Sequence, residues 1–219
     1  MLCVVEKFVS INGEGTRSGE LSAFIRFKGC NLSCGYCDTK WANEENAPCT
    51  YYTFQELNEW VLNQNVLNVT LTGGEPLLCG EIYQLTELLG ESGIRCEIET
   101  NGSIPISDSS KLIYRPSFTL DYKLPSSGVY GSFCEDNVNF LQKNDTVKFV
   151  CGSAEDLETA DEVIRKYSLC DKCYVYLSPV FDSLKPDIMV EFMKKKGLNK
   201  VRLQLQIHKF IWSPDERGV

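Results

Sequence analysis

The chain has 219 residues, of which 43 % are hydrophobic and 24 % charged, enough for a packed core in one large domain or two small ones. Its net charge of −8 speaks against a nucleic-acid footprint, which calls for a basic face. No apolar run is long enough to cross a membrane, and the first seven residues carry neither a basic flank nor an apolar signal region, so a cytoplasmic enzyme acting on a small molecule is expected. Eleven cysteines in that compartment are expected as reduced thiols and metal ligands rather than as a disulfide framework.

Residues 3–10 alternate and read as a strand. Ile11-Asn12-Gly13-Glu14-Gly15 then breaks the chain, its two glycines permitting a tight turn. Residues 21–27 form a short apolar strand with Arg26 inside it. A guanidinium fork there suits a carboxylate, which it binds through two hydrogen bonds, and the competing reading is an ion pair on the strand.

The next stretch, Gly29 to Thr39, holds Cys30, Cys34 and Cys37 at the spacing C-x3-C-x2-C. A structural zinc wants four protein ligands, and an electron-carrier cluster normally takes four thiolates. Three thiolates around a [4Fe–4S] cluster leave one iron open to a further ligand, which points to chemistry at the cluster. Residues 40–50 carry no matched motif.

Thr53 and Glu56 have the spacing of a capping box, and Phe54, Leu57 and Val61 share the face of the helix that follows. A strand over 66–72 runs into Gly73-Gly74-Glu75-Pro76, where two glycines let backbone approach a ligand closely and Glu75 is placed to meet an ammonium. A helix over 81–89, closed near Gly90 or Gly93, leads to a strand over 94–100 that ends at Asn101-Gly102. Strands are expected over 117–122, just before Lys123, and over 145–150. A helix follows over 154–167, and the pair Cys170 and Cys173 reads as ordinary thiols. A strand over 174–177, a helix over 186–196 between Pro186 and Gly197, and a last strand over 200–207 complete the chain before His208, its one histidine.

Strands alternating with helices imply an α/β fold with a mainly parallel sheet, curled into a barrel or partial barrel. In such folds the site lies at the carboxyl ends of the strands. The cysteine loop, Gly73-Gly74, Asn101-Gly102, Lys123 and His208 each follow a predicted strand, so they are expected on one rim. An open iron there can be chelated by the amino and carboxylate groups of S-adenosylmethionine, whose sulfur–carbon bond an electron then breaks, with the protein holding and shielding the reaction.

Cys30-x3-Cys34-x2-Cys37 with Gly73-Gly74-Glu75-Pro76 resembles the radical S-adenosylmethionine superfamily, and Tyr36 stands where that superfamily has an aromatic residue before the third cysteine. A narrower resemblance spans nearly the whole chain. Residues 11–15, Phe24-Ile25-Arg26-Phe27, Cys37-Asp38-Thr39, Thr72 to Pro76, Glu99 to Gly102 and Gln206-Ile207-His208-Lys209 look like the 7-carboxy-7-deazaguanine synthase family of queuosine and 7-deazapurine biosynthesis. The resemblance implies a single radical S-adenosylmethionine domain over residues 1–219, with a pared-down (β/α) TIM-like barrel. It implies conversion of 6-carboxy-5,6,7,8-tetrahydropterin to 7-carboxy-7-deazaguanine with release of ammonia. It also implies a [4Fe–4S] cluster, S-adenosylmethionine, Mg²⁺, a flavodoxin or ferredoxin as electron donor, and a homodimer.

Carried over residue by residue, Cys30, Cys34 and Cys37 hold the cluster. Tyr36, Cys37, Asp38, Gly74, Asp121, Tyr122 and Lys123 lie beside S-adenosylmethionine, and Thr39 gives Mg²⁺ an oxygen. Ile11, Asn12, Gly13, Arg26, Thr72 and His208 contact the pterin, and Glu14 is the candidate for moving a proton. Asn12 stands where the family usually has glutamine, and residues 119–123 depart from its usual serine-proline-lysine form. Two other readings are kept: a glycyl-radical-enzyme activase acting on a protein backbone, and a non-enzymatic iron–sulfur or zinc protein.

Overall fold

The strands stack side by side in one nine-stranded sheet, in the order β3-β1-β2-β4-β5-β6-β7-β8-β9, in a computed structural model that describes residues 1–213 and 216–219. They are β1 (Leu2–Ile11), β2 (Leu21–Phe27), β3 (Thr50–Tyr52), β4 (Asn68–Gly73), β5 (Arg95–Thr100), β6 (Ser117–Asp121), β7 (Thr146–Cys151), β8 (Tyr174–Pro179) and β9 (Val201–Leu203). From β2 to β9 every pairing is parallel, whereas β1 runs antiparallel to both β2 and β3. The sheet is not a closed barrel: β3 and β9 are its two edges.

Among the described residues six α-helices accompany it: α1 (Lys40–Asn43), α2 (Phe54–Asn63), α3 (Ile82–Glu91), α4 (Ala154–Lys166), α5 (Pro186–Lys196) and α6 (His208–Ile211). Their ends follow local chemistry. The Thr53 hydroxyl accepts from Glu56 N–H (3.2 Å) while the Glu56 carboxylate accepts from Thr53 N–H (2.8 Å), which closes the expected capping box on α2. Ser153 caps α4, which has acidic residues in its first turn and basic ones in its last, the order its dipole favours. Gly197 ends α5 at φ +66°, the left-handed conformation that a Cβ disfavours.

The two faces of the sheet differ in chemistry. Ile25, Leu71, Ile98, Leu120, Phe149 and Leu177 are fully buried and join Leu57 of α2, Leu85 and Leu89 of α3, and Ala160 of α4 in the main core. The alternate residues, Thr70, Thr72, Glu97, Glu99, Thr119, Asp121 and Lys148, point to the other face. Interior parallel strands are ordinarily apolar on both faces. A polar inner face in this position therefore marks the site.

Three sequence expectations change, and one stretch without a motif acquires a structure. The last strand is expected over 200–207, but it ends at Leu203; past it the Gln204 N–H still reaches β8 while its side chain turns to the loop after β1. The unmatched stretch 40–50 forms α1 and leads into the edge strand β3. Cys3 and Cys49 are joined in a disulfide (Cα–Cα 6.0 Å), not held as two reduced thiols, because β1 and β3 bring them side by side. Tyr122 lies beyond β6 with its ring in the core, 4.7 Å from Phe133 and 5.4 Å from Phe149, centroid to centroid. It takes the outer face because its neighbour Asp121 takes the inner one.

Candidate functional site

The carboxyl ends of β2, β4, β5 and β6 form one rim. After β2 the chain enters the cysteine loop through Gly29 at φ +88°. Three neighbours brace that loop. Gly74 N–H donates to the Phe27 carbonyl (3.1 Å) and Glu75 N–H to the Gly29 carbonyl (2.8 Å). The Asn101 amide donates to Cys30 Sγ (3.5 Å) and to Asn31 Oδ1 (3.0 Å). Gly35 N–H donates to the Ser127 carbonyl (2.9 Å). A Cβ on Gly74 would overlap the Gly29 carbonyl, so only glycine lets the two loops approach this closely.

Glu75 is fully buried, and its carboxylate accepts from Thr100 Oγ1 (2.8 Å), Asn101 N–H (2.7 Å) and Leu77 N–H (3.0 Å). Burial pushes its pKa up while those three hydrogen bonds hold it down. The carboxylate expected to meet an ammonium also latches the loops after β4 and β5 together.

Cys30, Cys34 and Cys37 carry free thiols in one loop. Among the described residues, no three His, Cys, Asp or Glu side chains converge where a single metal ion would sit. Three thiols at this spacing, with no fourth protein ligand beside them among the described residues, suit a [4Fe–4S] cluster better than a closed zinc site. Beside them the Tyr36 hydroxyl and Asp121 Oδ1 are buried without a hydrogen-bond partner, as polar groups facing a ligand space would be. Lys123 Nζ reaches Asp121 Oδ2 at 2.7 Å and lies over the Tyr36 ring, 5.9 Å from its centroid. Burial would lower the Lys123 pKa, but Asp121 and Cys34 hold it above its ordinary value. The donor set and the glycine-lined approach fit a [4Fe–4S] cluster with an amino-acid cofactor against it.

Deeper in, the loop after β1 folds across the polar face. The Asn12 amide donates to Thr70 Oγ1 (3.3 Å) and Glu97 Oε2 (3.2 Å). Thr72 donates to Glu99 Oε2 (2.9 Å) and Thr119 to Glu97 Oε1 (2.6 Å). Lys148 Nζ pairs with Glu14 Oε2, leaving Glu14 Oε1 buried without a partner. The His208 ring lies where a Cβ on Gly13 would be, so glycine makes room for it.

Opposed charges tune this pocket. Burial raises the Glu99 pKa to about 7; Lys148 opposes the rise, while Glu14 and Glu97 add to it. Burial would lower Lys148, but Glu14, Asp121 and Glu99 outweigh it and keep the ammonium charged. Burial lowers the His208 pKa and so favours the neutral imidazole, although the Glu14 carboxylate pulls the other way.

A profile of the Radical SAM superfamily matches residues 24–112. Over 217 residues the chain is 52 % identical to a 7-carboxy-7-deazaguanine synthase from Clostridium acetobutylicum, covering 99 % of this chain and 98 % of that protein. The chain belongs to the 7-carboxy-7-deazaguanine synthase family. A second family member, from Chlorobaculum tepidum, is 36 % identical over all of this chain and 97 % of its own. Among solved structures, QueE from Escherichia coli superposes with a TM-score of 0.77 at 23 % identity, covering 94 % of this chain and 93 % of that one. SuiB of Streptococcus suis, solved bound to S-adenosylmethionine, gives 0.57 at 14 % identity over 83 % of this chain and 51 % of that one. Both likenesses are of fold.

Against the family pattern, the expected residues separate into groups. Cys30, Cys34, Cys37, Tyr36, Gly74, Asp121 and Lys123 lie on or beside the rim, while Tyr122 does not offer its ring there. Thr39 Oγ1 shares a hydrogen bond with Cys37 Sγ (3.6 Å) and makes no capping bond to α1. Asp38 is exposed and faces Lys209 Nζ at 3.6 Å. Ile11 ends β1, Asn12 and Gly13 follow it, and Thr72 sits on the inner face. Arg26 Nε donates to Glu6 Oε1 at 2.6 Å, so the ion pair is present; among the described residues its two terminal nitrogens bond no other group.

Glu97, Glu99, Lys148 and Gln204 were not singled out from the sequence. A signal for three of them exists: Val69-Thr70-Leu71-Thr72, Cys96-Glu97-Ile98-Glu99 and Val147-Lys148-Phe149 alternate polar with apolar in strands that a parallel sheet should bury on both faces.

Proposed function

We propose that this chain converts 6-carboxy-5,6,7,8-tetrahydropterin to 7-carboxy-7-deazaguanine with release of ammonia, in queuosine or 7-deazapurine biosynthesis. The observation that carries the reading is the full-length 52 % identity to a 7-carboxy-7-deazaguanine synthase. The polar inner face beneath the cysteine rim supports it. When bound, a [4Fe–4S] cluster with S-adenosylmethionine supplies one-electron cleavage of a sulfur–carbon bond and so a carbon radical able to take hydrogen.

Cys30, Cys34 and Cys37 hold the cluster, and Gly74 with Gly29 gives the backbone surface against which the methionine part lies. Tyr36, Asp38, Asp121 and Lys123 line the rest of that cofactor, with Asp121 Oδ1 free to accept from a ribose hydroxyl. Thr39 would give a bound Mg²⁺ one hard oxygen.

The pterin lies over the inner face. Arg26 presents its terminal nitrogens to the substrate carboxylate. Ile11, Asn12, Gly13, Thr72 and His208 border the ring system. Glu14 Oε1, held in place through Lys148, accepts from a ring N–H. Glu99, with a pKa near neutrality, holds and gives up the proton that accompanies the departing amine.

The enzyme is taken to be a cytoplasmic homodimer, one radical S-adenosylmethionine domain per chain, served by flavodoxin or ferredoxin. Consistent with this, among the described residues no helix is long and apolar enough to cross a membrane.

Anaerobic incubation of reconstituted protein with the pterin, S-adenosylmethionine, Mg²⁺ and a reductant tests the reading. The expected result is 7-carboxy-7-deazaguanine formed over many turnovers without net loss of S-adenosylmethionine. An intact cluster with no deazaguanine overturns it.

A further inference from the structure

Beyond β9 one side chain ties the C-terminal segment to the loop after β1. Gln204 is buried, and its amide closes on the backbone of Gly15. Gly15 N–H donates to Gln204 Oε1 (3.0 Å), and Gln204 Nε2 donates to the Gly15 carbonyl (3.2 Å). These are the two bonds that paired residues of neighbouring antiparallel strands exchange, made here between residues 189 apart in sequence. Gln204 is itself fixed, since its N–H donates to the Leu177 carbonyl of β8 at 2.9 Å.

The loop it grips has little freedom elsewhere. Gly15 sits at φ +72°, and a Cβ there would press on Glu97 Oε1 at 3.2 Å. Next to it Glu14 pairs with Lys148, and Asn12 spans Thr70 and Glu97. Further along the C-terminal segment, Ile207 N–H donates to the Gly13 carbonyl (3.3 Å) and the His208 ring covers Gly13. Residues 12–15 are clamped between the inner face and the segment 204–208, with Gln204 making the two-point contact.

We propose that Gln204 is a positioning residue for the pterin. By fixing the height of residues 12–15 over the inner face, it sets where Asn12 and Glu14 meet the substrate. Without the clasp the loop shares its time between seated and unseated positions, and apparent affinity falls by the seated fraction. The cysteine loop is braced separately, by Gly74, Glu75 and Asn101, so cluster and S-adenosylmethionine binding stay as they are. This proposal rests on the pterin reading above.

The test uses the full chain, anaerobically reconstituted, with Gln204→Met, which keeps length but has no hydrogen-bonding group, and Gln204→Asn, which carries the amide on a shorter stem. The expected result for Gln204→Met is a rise of about tenfold in KM for 6-carboxytetrahydropterin, the loss expected of two neutral hydrogen bonds. Gln204→Asn falls between it and the parent. KM for S-adenosylmethionine and iron per chain stay unchanged. Amide hydrogen exchange in the substrate-free variants speeds up over residues 11–17 and not over β2. An unchanged pterin KM beside an active parent overturns the proposal. So does a parallel fall in iron content and S-adenosylmethionine affinity, which makes Gln204 a general strut. A parent chain that loads its cluster and leaves the pterin untouched overturns the functional reading itself, and the positioning role with it.

Discussion

Glu99 shows at the scale of one residue how the pocket departs from ordinary protein interior. Its carboxyl keeps a proton until about pH 7, against 4.5 for the free group, because burial and the carboxylates of Glu14 and Glu97 outweigh Lys148. In the unfolded chain the proton leaves near pH 4.5. Between those two values the folded state binds more protons, so stability falls as pH rises. Glu99→Gln keeps an acceptor for Thr72 Oγ1 and removes the titration. Urea midpoints of the ligand-free protein at pH 5 and pH 7.5 should therefore differ less in the variant than in the parent. An equal difference means that the carboxyl does not titrate where its surroundings place it. Thr39 gives a second residue-scale expectation. Its hydroxyl caps nothing and touches only Cys37 Sγ, so Thr39→Ala should weaken the Mg²⁺ dependence of turnover and leave iron content intact. Turnover that responds to Mg²⁺ as the parent does removes Thr39 from the metal's shell.

At the scale of elements, what could be read from sequence depended on whether the cause was local. The box of Thr53 and Glu56, the Pro186 and Gly197 that bound α5, and the cysteine spacing are all short-range chemistry, and each lies where it was expected. The length of the last strand was not readable, because the Gln204 side chain just past it turns to Gly15, distant in sequence. The use of Glu75 was hidden for the same reason: its three donors come from two loops that meet only in the fold. Tyr122 was lost to strand alternation, which sends Asp121 inward and its neighbour out. The loop after β4 carries its own prediction. Gly74→Ala places a Cβ against the Gly29 carbonyl and Asn43 Oδ1, where backbone has no room to yield. It should cost about 1–3 kcal/mol and push the cysteine loop outward. Iron and sulfide per chain after reconstitution should drop, whereas Gly80→Ala, with no heavy atom within 4 Å of the added Cβ, should load like the parent. Equal iron in both variants means that the close approach of the two loops is not needed to seat the cluster.

At the scale of the whole molecule, the sheet solves an open-barrel problem with parts distant in sequence. The Gln204 clasp ties the segment after β9 to the loop after β1; at the other edge, β3 is tied to β1 by Cys3 and Cys49. That bond closes a span of 46 residues that contains β2, α1 and Cys30, Cys34 and Cys37. By the chain-entropy argument, such a loop gives up to about 4 kcal/mol, all of it through the unfolded state. The folded segment has other anchors: Lys28 Nζ donates to the carbonyls of Glu45 (2.7 Å) and Ala47 (2.8 Å), and Gly29 N–H to that of Ala42 (3.2 Å). Opening the disulfide should therefore lower stability without releasing the cysteine loop. Cys3→Ser is expected to lower the melting temperature of oxidised protein by up to about 10 °C. Dithiothreitol should bring the parent down to the variant and leave the variant where it was. Both should take up the same iron under reducing conditions, because the braces from Gly74, Glu75 and Asn101 do not pass through the disulfide. A Cys3→Ser chain that melts with the oxidised parent means that the pair is not bonded in solution. One that loads less iron means that the edge strand, and not only the rim, holds the cluster loop in place.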